Sequence, residues 1–313
     1  MMNKSLTISV VIPTRNRAEH LKRLLESLTR CALPPDGDVE VVVADNGSQD
    51  HTRTVIELFS TIAPFTVRSV YEPTPGVSRA RNAGLEIARG SIVAFLDDDC
   101  QVATDWLVSI VKVFAEFPQL TGFFGRVLPS DGAVINPTTL SVKPSMEAED
   151  YRFPCSPFLG HGNNMAYRRQ ALIDVGGFDA LLGPGAPLRC GEDTDLAYRL
   201  LRKGAWLRYE PRVLIYHTPR ETEEELLAAH QRNAIGLGAY LTKHIAHGDF
   251  YAAKTGWWWW FGTWRGYRQA VRQRSLLVKR VKGLYLRWVF YGVWLSAKYG
   301  FRDGTGLRKT TAP

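Results

Sequence analysis

The feature that most constrains this chain is a rhythm in its first hundred residues. Short apolar runs alternate with stretches in helical spacing. The runs Leu6–Ile12, Val39–Ala44, Thr66–Tyr71 and Ser91–Leu96 read as strands, and the β-branched, continuously apolar ones suit a sheet covered on both faces. Between them, Leu21, Leu24, Leu25 and Leu28 recur at helical spacing. Asp50 is placed to cap a helix through Phe59, and Ser78–Arg89 reads as a helix closed by Gly90. Strands separated by helices form a parallel, doubly wound sheet. The expectation is therefore an α/β, Rossmann-like fold.

The later chain is less regular. Pro129–Pro157 is rich in Pro, Ser and Thr and reads as an excursion or lid. Patterns resume at Gly160–Arg168, followed by a helix over Asp193–Arg202 and short strands at Trp206–Tyr209 and Val213–Tyr216. After Pro219 the pattern is helical, beginning with the acidic turn Glu221–Glu225.

Composition excludes a mostly disordered chain: 45% of the 313 residues are hydrophobic and 22% charged. The net charge of +8 points to an anionic partner. Its distribution is uneven. Residues 251–302 hold eleven Lys or Arg and no Asp or Glu, so removing those eleven positive charges leaves the remainder at −3. The four cysteines lack metal-ligand spacing and read as reduced thiols of a cytoplasmic protein. No signal peptide is apparent, because the early apolar run is short and ends at Pro13. Trp288–Ala297, ten uncharged residues, falls short of the roughly 20 that a spanning helix needs.

In an open α/β sheet, ligands bind beyond the carboxyl ends of the strands. Three such ends are polar: Pro13-Thr14-Arg15-Asn16, Asp45-Asn46-Gly47-Ser48 and Asp97-Asp98-Asp99. Three adjacent carboxylates need a compensating cation, which a hard divalent metal can supply, or else form a solvated acidic turn. Arg79 and Arg81 lead into a helix, where they suit a pyrophosphate or surface ion pairs. Neither a GxxxxGK[ST] loop nor a GxGxxG fingerprint is present. Glu192, Asp193 and Asp195 open a helix, either as simple caps or with a carboxylate placed as a base.

Taken in order, VVIPTRNR (10–17), VVVADNGSQD (41–50), PGVSRARNAG (75–84), SIVAFLDDDC (91–100), GHGNNMAYRR (160–169), VGGFD (175–179), GEDTDLAYRLLRKG (191–204) and VLIYH (213–217) resemble the family 2 glycosyltransferases. The resemblance covers roughly residues 6–245 and implies the GT-A fold and an inverting transferase. It implies that Thr14 and Asp45 contact the nucleoside, Asp45 at the base, and that Arg15 and Arg81 contact the nucleotide or its phosphates. Asp97 and Asp99 match the DxD that binds ribose and Mg2+ or Mn2+, with Asp98 sharing that role. Asp193 matches the catalytic base, with Glu192 beside it. His217 resembles a late metal or diphosphate contact, with a hydrogen-bonded structural histidine as the alternative. Asn163 and Asn164 are placed for the acceptor or donor sugar. The QxxRW pattern of processive members is absent: Gln231-Arg232-Asn233 follows the right region without matching it, which implies transfer of one sugar. The implied donor is a nucleotide diphosphate sugar, UDP-linked by default, and the acceptor a glycan or lipid-linked hydroxyl in cell-envelope synthesis. An inactive nucleotide-binding scaffold and a nucleotidyltransferase are the competing classes.

The basic segment has its own reading. Residues 1–220 form the expected catalytic domain and 221–313 a helical region. Leu277, Val281, Leu284, Trp288, Tyr291 and Leu295 make one helical stripe, with Lys279 and Lys282 opposite it. Seven of the nine Trp lie in this segment. Basic and aromatic residues together suit an amphipathic helix on an anionic membrane, peripheral on its inner face, or a helix packed on the catalytic domain. No nucleic-acid motif accompanies them, so no nucleic-acid partner is expected.

Overall fold

The computed structural model describes residues 6–35, 38–130, 141–218 and 222–299. β1 (Ile8–Thr14) and β4 (Ile92–Leu96) are buried at every position, and β2 (Val39–Asp45) is nearly so. β3 (Thr66–Tyr71) closes one edge and is half exposed. The order β3-β2-β1-β4 is parallel throughout, as the alternating sequence requires. Beyond β4 the sheet becomes mixed: β8 (Asn164–Arg168) runs antiparallel to β4 and to β6 (Gly122–Pro129). β9 (Leu207–His217) then runs parallel to β6 and antiparallel to β5 (Cys100–Val102). β7 (Glu149–Tyr151) pairs with the first half of β9. The carboxyl ends of β1, β2, β4 and β9 therefore share one edge with the start of β8.

Helices cover both faces. On one side Leu21, Leu24 and Leu28 of α1 (Ala18–Thr29), Phe59 of α2 (Thr52–Ile62) and Trp106 and Phe114 of α4 (Trp106–Glu116) pack on Val10, Ile12, Val41 and Val43. On the other, Leu85 of α3 (Val77–Ile87), Leu172 of α5 (Arg169–Asp174) and Leu196 and Leu200 of α6 (Glu192–Arg202) cover Val11, Val42, Val93 and Phe95. Each fully buried aliphatic side chain contributes about 1.5–3 kcal/mol.

Several boundaries differ from the sequence reading. Trp206–Tyr209 and Val213–Tyr216 are two halves of the single strand β9; Pro211, which has no N–H to donate, sits at the interruption, and the register with β6 shifts there. α3 ends at Ile87, before Gly90. Gly90 instead lets the backbone cross β1: a Cβ there would lie 2.5 Å from Ser9 N. Asp50 serves two helices, accepting from Thr52 N at 3.1 Å and from Ala18 N at 3.1 Å. Within Pro129–Pro157, the described part is fastened to the sheet through β7 and a bridge between Val127 and Lys143; residues 131–140 lie outside the described residues.

The basic segment folds as helices. α7 (Glu223–Ala246) starts with a capping box between Thr222 and Glu225; Glu221 lies outside the described residues. α8 (Phe250–Arg272) is capped by Asp249, and α9 (Leu276–Tyr299) returns against α7. Among the described residues no helix is long and apolar enough to cross a membrane. The packed face of α9 is Val281, Val289, Gly292 and Leu295, while Tyr291 is exposed, so the face is rotated from the expected stripe. The cause is close backbone approach: a Cβ on Gly292 would lie 2.1 Å from Ile235 O, and one on Gly238 2.1 Å from Val289 O. This rotation brings Lys282, expected on the outer face, to the lining of a cleft.

α7 is also tied to α6. Lys243 Nζ donates to Asp179 Oδ2 at 2.6 Å and lies 2.9 Å from Asp195 Oδ1. His244 Nε2 is 2.9 Å from the same oxygen, and Arg199 Nε donates to Asp195 Oδ2 at 2.8 Å. Burial would raise the Asp195 pKa, but Arg199, Lys243 and His244 hold it well below the usual carboxylate range.

Candidate active site

A cleft of about 1070 Å³ runs along the carboxyl edge of the sheet and on between the C-terminal helices. Thr14, Arg15, Arg81, Asp97, Asp98, Asp99, Asn163, Glu192, Asp193 and His217 all line it. Asp45 and Asn164 do not. Asp45 ends β2 and accepts from Ser48 N at 2.9 Å, shaping the turn beside the cleft.

The acidic triplet follows β4 directly, and arginines supply its counter-charge. Arg17 Nη1 donates to Asp98 Oδ1 and Asp99 Oδ2, each at 3.0 Å. Thr14 Oγ1 donates to Asp98 Oδ2 at 2.8 Å, so Thr14 orients a carboxylate of the turn. Burial pushes the Asp98 pKa up to about 7 against the pull of Arg17. Burial also acts to raise Asp99, but His217 and Arg17 outweigh it and its pKa is lowered.

Arg81, on the inward face of α3, is buried and joins two parts of the cleft. Its Nη2 donates to Asp97 Oδ1 at 2.7 Å and to Gly162 O at 3.2 Å, and its Nη1 donates to Glu192 Oε1 at 3.0 Å. It thus faces inward as a brace, while Arg79 does not line the cleft. Glu192 lies in the first turn of α6. Burial and the neighbouring Asp193 push its pKa up to about 7, opposed by Arg81. Asp193 is held at both oxygens: Gly162 N donates to Oδ2 at 2.9 Å and Thr194 N to Oδ1 at 2.7 Å. A Cβ at 162 would lie 3.1 Å from Asp193 Oδ2, so glycine lets this amide reach the carboxylate.

The two asparagines part ways. Asn163 is buried in the cleft wall, and its Oδ1 has no hydrogen-bond partner among the described residues. Asn164 is saturated by the scaffold: Trp106 Nε1 donates to its Oδ1, and its Nδ2 donates to Arg126 O and Val213 O at the β6–β9 irregularity. Contrary to its expected placement, it does not line the cleft, and these bonds tie it to the scaffold.

The sequence reading missed Arg17, whose partners lie more than 80 positions away. It also missed Asn46. That side chain donates to Glu72 O and Thr74 O and accepts from Gly76 N, fastening the approach to α3.

Among the described residues no group of three His, Cys, Asp or Glu is assembled around a metal position. The donor set nevertheless fits a hard divalent cation held largely by its substrate. Asp99 Oδ1 and His217 Nε2 face each other at 3.6 Å in the cleft lining; the carboxylate is the ligand type of a hard cation, and the imidazole the softer member of the pair. Mg2+ in particular uses one or two carboxylates and completes its shell with phosphate oxygens and water.

A mixed sheet with this strand-end acidic turn, faced by a carboxylate at the head of a helix, defines a glycosyltransferase of the GT-A type. The chain belongs to glycosyl transferase family 2, whose model matches residues 9–176. It is 29% identical over 255 residues to the pre-mycofactocin glycosyltransferase of Mycobacterium tuberculosis, covering 77% of this chain and 48% of the relative. The chain thus spans about half the length of that protein. It is 28% identical over 237 residues to the succinoglycan biosynthesis protein ExoM of Rhizobium meliloti, covering 72% and 71%. Among solved structures, the mannosyltransferase PcManGT from Pyrobaculum calidifontis, in complex with GDP-Man and Mn2+, aligns with a TM-score of 0.61 at 20% identity, covering 97% of this chain and 79% of that one. TarS 1-349 of S. aureus, in complex with UDP-GlcNAc, aligns with a TM-score of 0.54 at 19% identity, covering 74% and 66%. At these identities the structures speak for the fold alone.

Proposed function

We propose that this chain transfers one sugar, with inversion, from a nucleotide diphosphate sugar to an acceptor hydroxyl in cell-envelope glycan or glycolipid synthesis. The observation that carries this reading is one wall of the cleft. There Arg81 joins the acidic turn at Asp97 to Glu192, next to Asp193. A UDP-sugar is the default donor, and the TarS complex with UDP-GlcNAc supports it as one possibility of the fold.

Thr14, Arg15 and the Asp97–Asp99 turn receive the nucleotide, with Asp45 at the neighbouring strand end for the base. Asp97, Asp99 and His217 would hold Mg2+ or Mn2+. When bound, the ion offsets the charge that develops on the departing diphosphate. Asp193 accepts the proton of the acceptor hydroxyl as that oxygen bonds to the anomeric carbon. The bond from that carbon to the diphosphate oxygen breaks on the opposite face, and the nucleoside diphosphate leaves with the electron pair. The amides of Gly162 and Thr194 orient Asp193 for this task. Asn163 Oδ1, buried and unpartnered, is available to a sugar hydroxyl.

Residues 1–220 form the catalytic unit in this reading, and 221–313 attach it to an anionic membrane surface on the cytoplasmic side. Exposed Trp257, Trp258, Phe290 and Trp294 among basic residues support the attachment. Thermal shift with nucleotide sugars tests the donor reading. Ligand at a hundred times its Kd stabilises by about 2.7 kcal/mol. UDP-sugars with Mn2+ should raise the melting temperature, and Asp99→Ala should lose the Mn2+-dependent part. A Mn2+-dependent shift in Asp99→Ala as large as that of the wild type would remove the metal assignment.

A further inference from the structure

The cleft does not end at Asp193. It continues between the C-terminal helices, where Leu237, Tyr240, Trp259, Val281, Lys282 and Tyr285 line it. The chemistry changes along the way. On the sheet side, carboxylates meet guanidinium groups. On the helical side aromatic and aliphatic residues meet Lys282, the one ammonium group there, and the polar side chains of His230, Arg232, Asn233 and Thr263. Lys282 is half-buried, and no carboxylate of the described residues pairs with it. Its stem runs along α8 at Gly266, where a Cβ would lie 3.3 Å from Lys282 Cε. Tyr240 is fully buried, and its hydroxyl has no hydrogen-bond partner among the described residues.

Two unmet needs therefore sit in one lining. A buried hydroxyl without a partner is unusual in a folded protein. A cation in such surroundings gains most from a charge-assisted bond to an anion. We infer that the helical half of the cleft binds an amphiphilic acceptor, its apolar body between α7, α8 and α9 and its phosphate-type head group at Lys282. The inference rests on the transferase reading and names the acceptor class for the same cleft. It also gives the outer helix faces a purpose: exposed Trp257, Trp258, Phe290 and Trp294 lie on the same two helices, α8 and α9, that line the pocket. An amphiphile resident in a membrane surface would meet these helices first.

The test uses the full chain and three probes, read by tryptophan fluorescence and calorimetry: farnesyl phosphate below its micelle concentration, farnesol and inorganic phosphate. Farnesyl phosphate should bind, farnesol at least tenfold more weakly, and inorganic phosphate not measurably. Lys282→Gln should weaken farnesyl phosphate at least tenfold, and Lys282→Arg should recover most of that loss. Tyr240→Phe should weaken it severalfold and provides the second arm should Lys282→Gln fold poorly. Inorganic phosphate binding as well as farnesyl phosphate, or Lys282→Gln matching the wild type, would overturn the inference. Nucleotide-sugar binding by the wild type is read in parallel. Farnesyl phosphate binding without any nucleotide-sugar binding would leave the pocket standing and remove the transferase reading.

Discussion

The sheet edge and the helical end of the cleft handle charge in opposite ways. At the sheet edge the charges are paired, Arg17 with Asp98 and Asp99 and Arg81 with Asp97 and Glu192, while Arg81 Nε, Glu192 Oε2, His217 Nδ1 and Asn163 Oδ1 keep no hydrogen-bond partner among the described residues. At the helical end, Lys282 and the Tyr240 hydroxyl are left over. The difference teaches where preorganisation lies. In the proposed reading the sheet edge is the donor side, and its ion pairs are set before ligand arrives, as a site that must stabilise developing charge should be. The helical end offers shape and a cation that no carboxylate of the described residues neutralises.

Breaking the donor-side pairing should have the largest effect on stability. Arg81→Met leaves Glu192 buried without its counter-charge and frees Asp97. Removing one member of a buried ion pair costs about 3–5 kcal/mol. Urea unfolding should show that loss, and nucleotide affinity should fall with it. A stability near that of the wild type would mean that Arg81 is a ligand contact and not a brace.

The link between the two regions comes next. Lys243→Met removes the ammonium from Asp195 and Asp179, while Arg199 and His244 still face Asp195. A lost hydrogen bond to a charged group costs about 1.5–3 kcal/mol. The pH dependence carries a sign. Asp195 is depressed in the fold, so its stabilisation is present above its unfolded value of roughly 4 and is lost as pH falls below that. Lys243→Met raises the folded value, so acid unfolding should begin at a higher pH. An unchanged acid transition would show that the Lys243 contact does not set it.

The smallest effect sharpens the separation. Gly292→Ala places a methyl against Ile235 O and forces α9 away from α7. Overpacking of this kind costs about 1–3 kcal/mol. Farnesyl phosphate binding should drop while nucleotide-sugar affinity holds. A parallel loss of both would show that the two halves move as one.

The cleft lining at the sheet edge was partly legible because its residues follow strand ends and helix starts. Asp97–Asp99 come straight after an apolar strand, and Glu192 and Asp193 open a helix whose apolar face is plain in sequence. Arg17 was hidden because its partners are brought near only by the pairing of β1 with β4. Asn164 looked like its neighbour Asn163, yet the irregularity between β6 and β9 turns its amide into the scaffold. α9 was readable as a helix, but its packed face was not. Two glycines on different helices decide that face, and their mutual approach leaves no periodic trace.

The central claim is that Asp193 is the base of the transfer and not a nucleotide ligand. It is tested most directly by comparing Asp193→Asn with the wild type for nucleotide-sugar affinity and for transfer turnover. The account predicts affinity within about twofold of the wild type and turnover lower by roughly 10²–10⁴, the range of general base catalysis. Near-normal turnover, or a loss confined to nucleotide affinity, would contradict it.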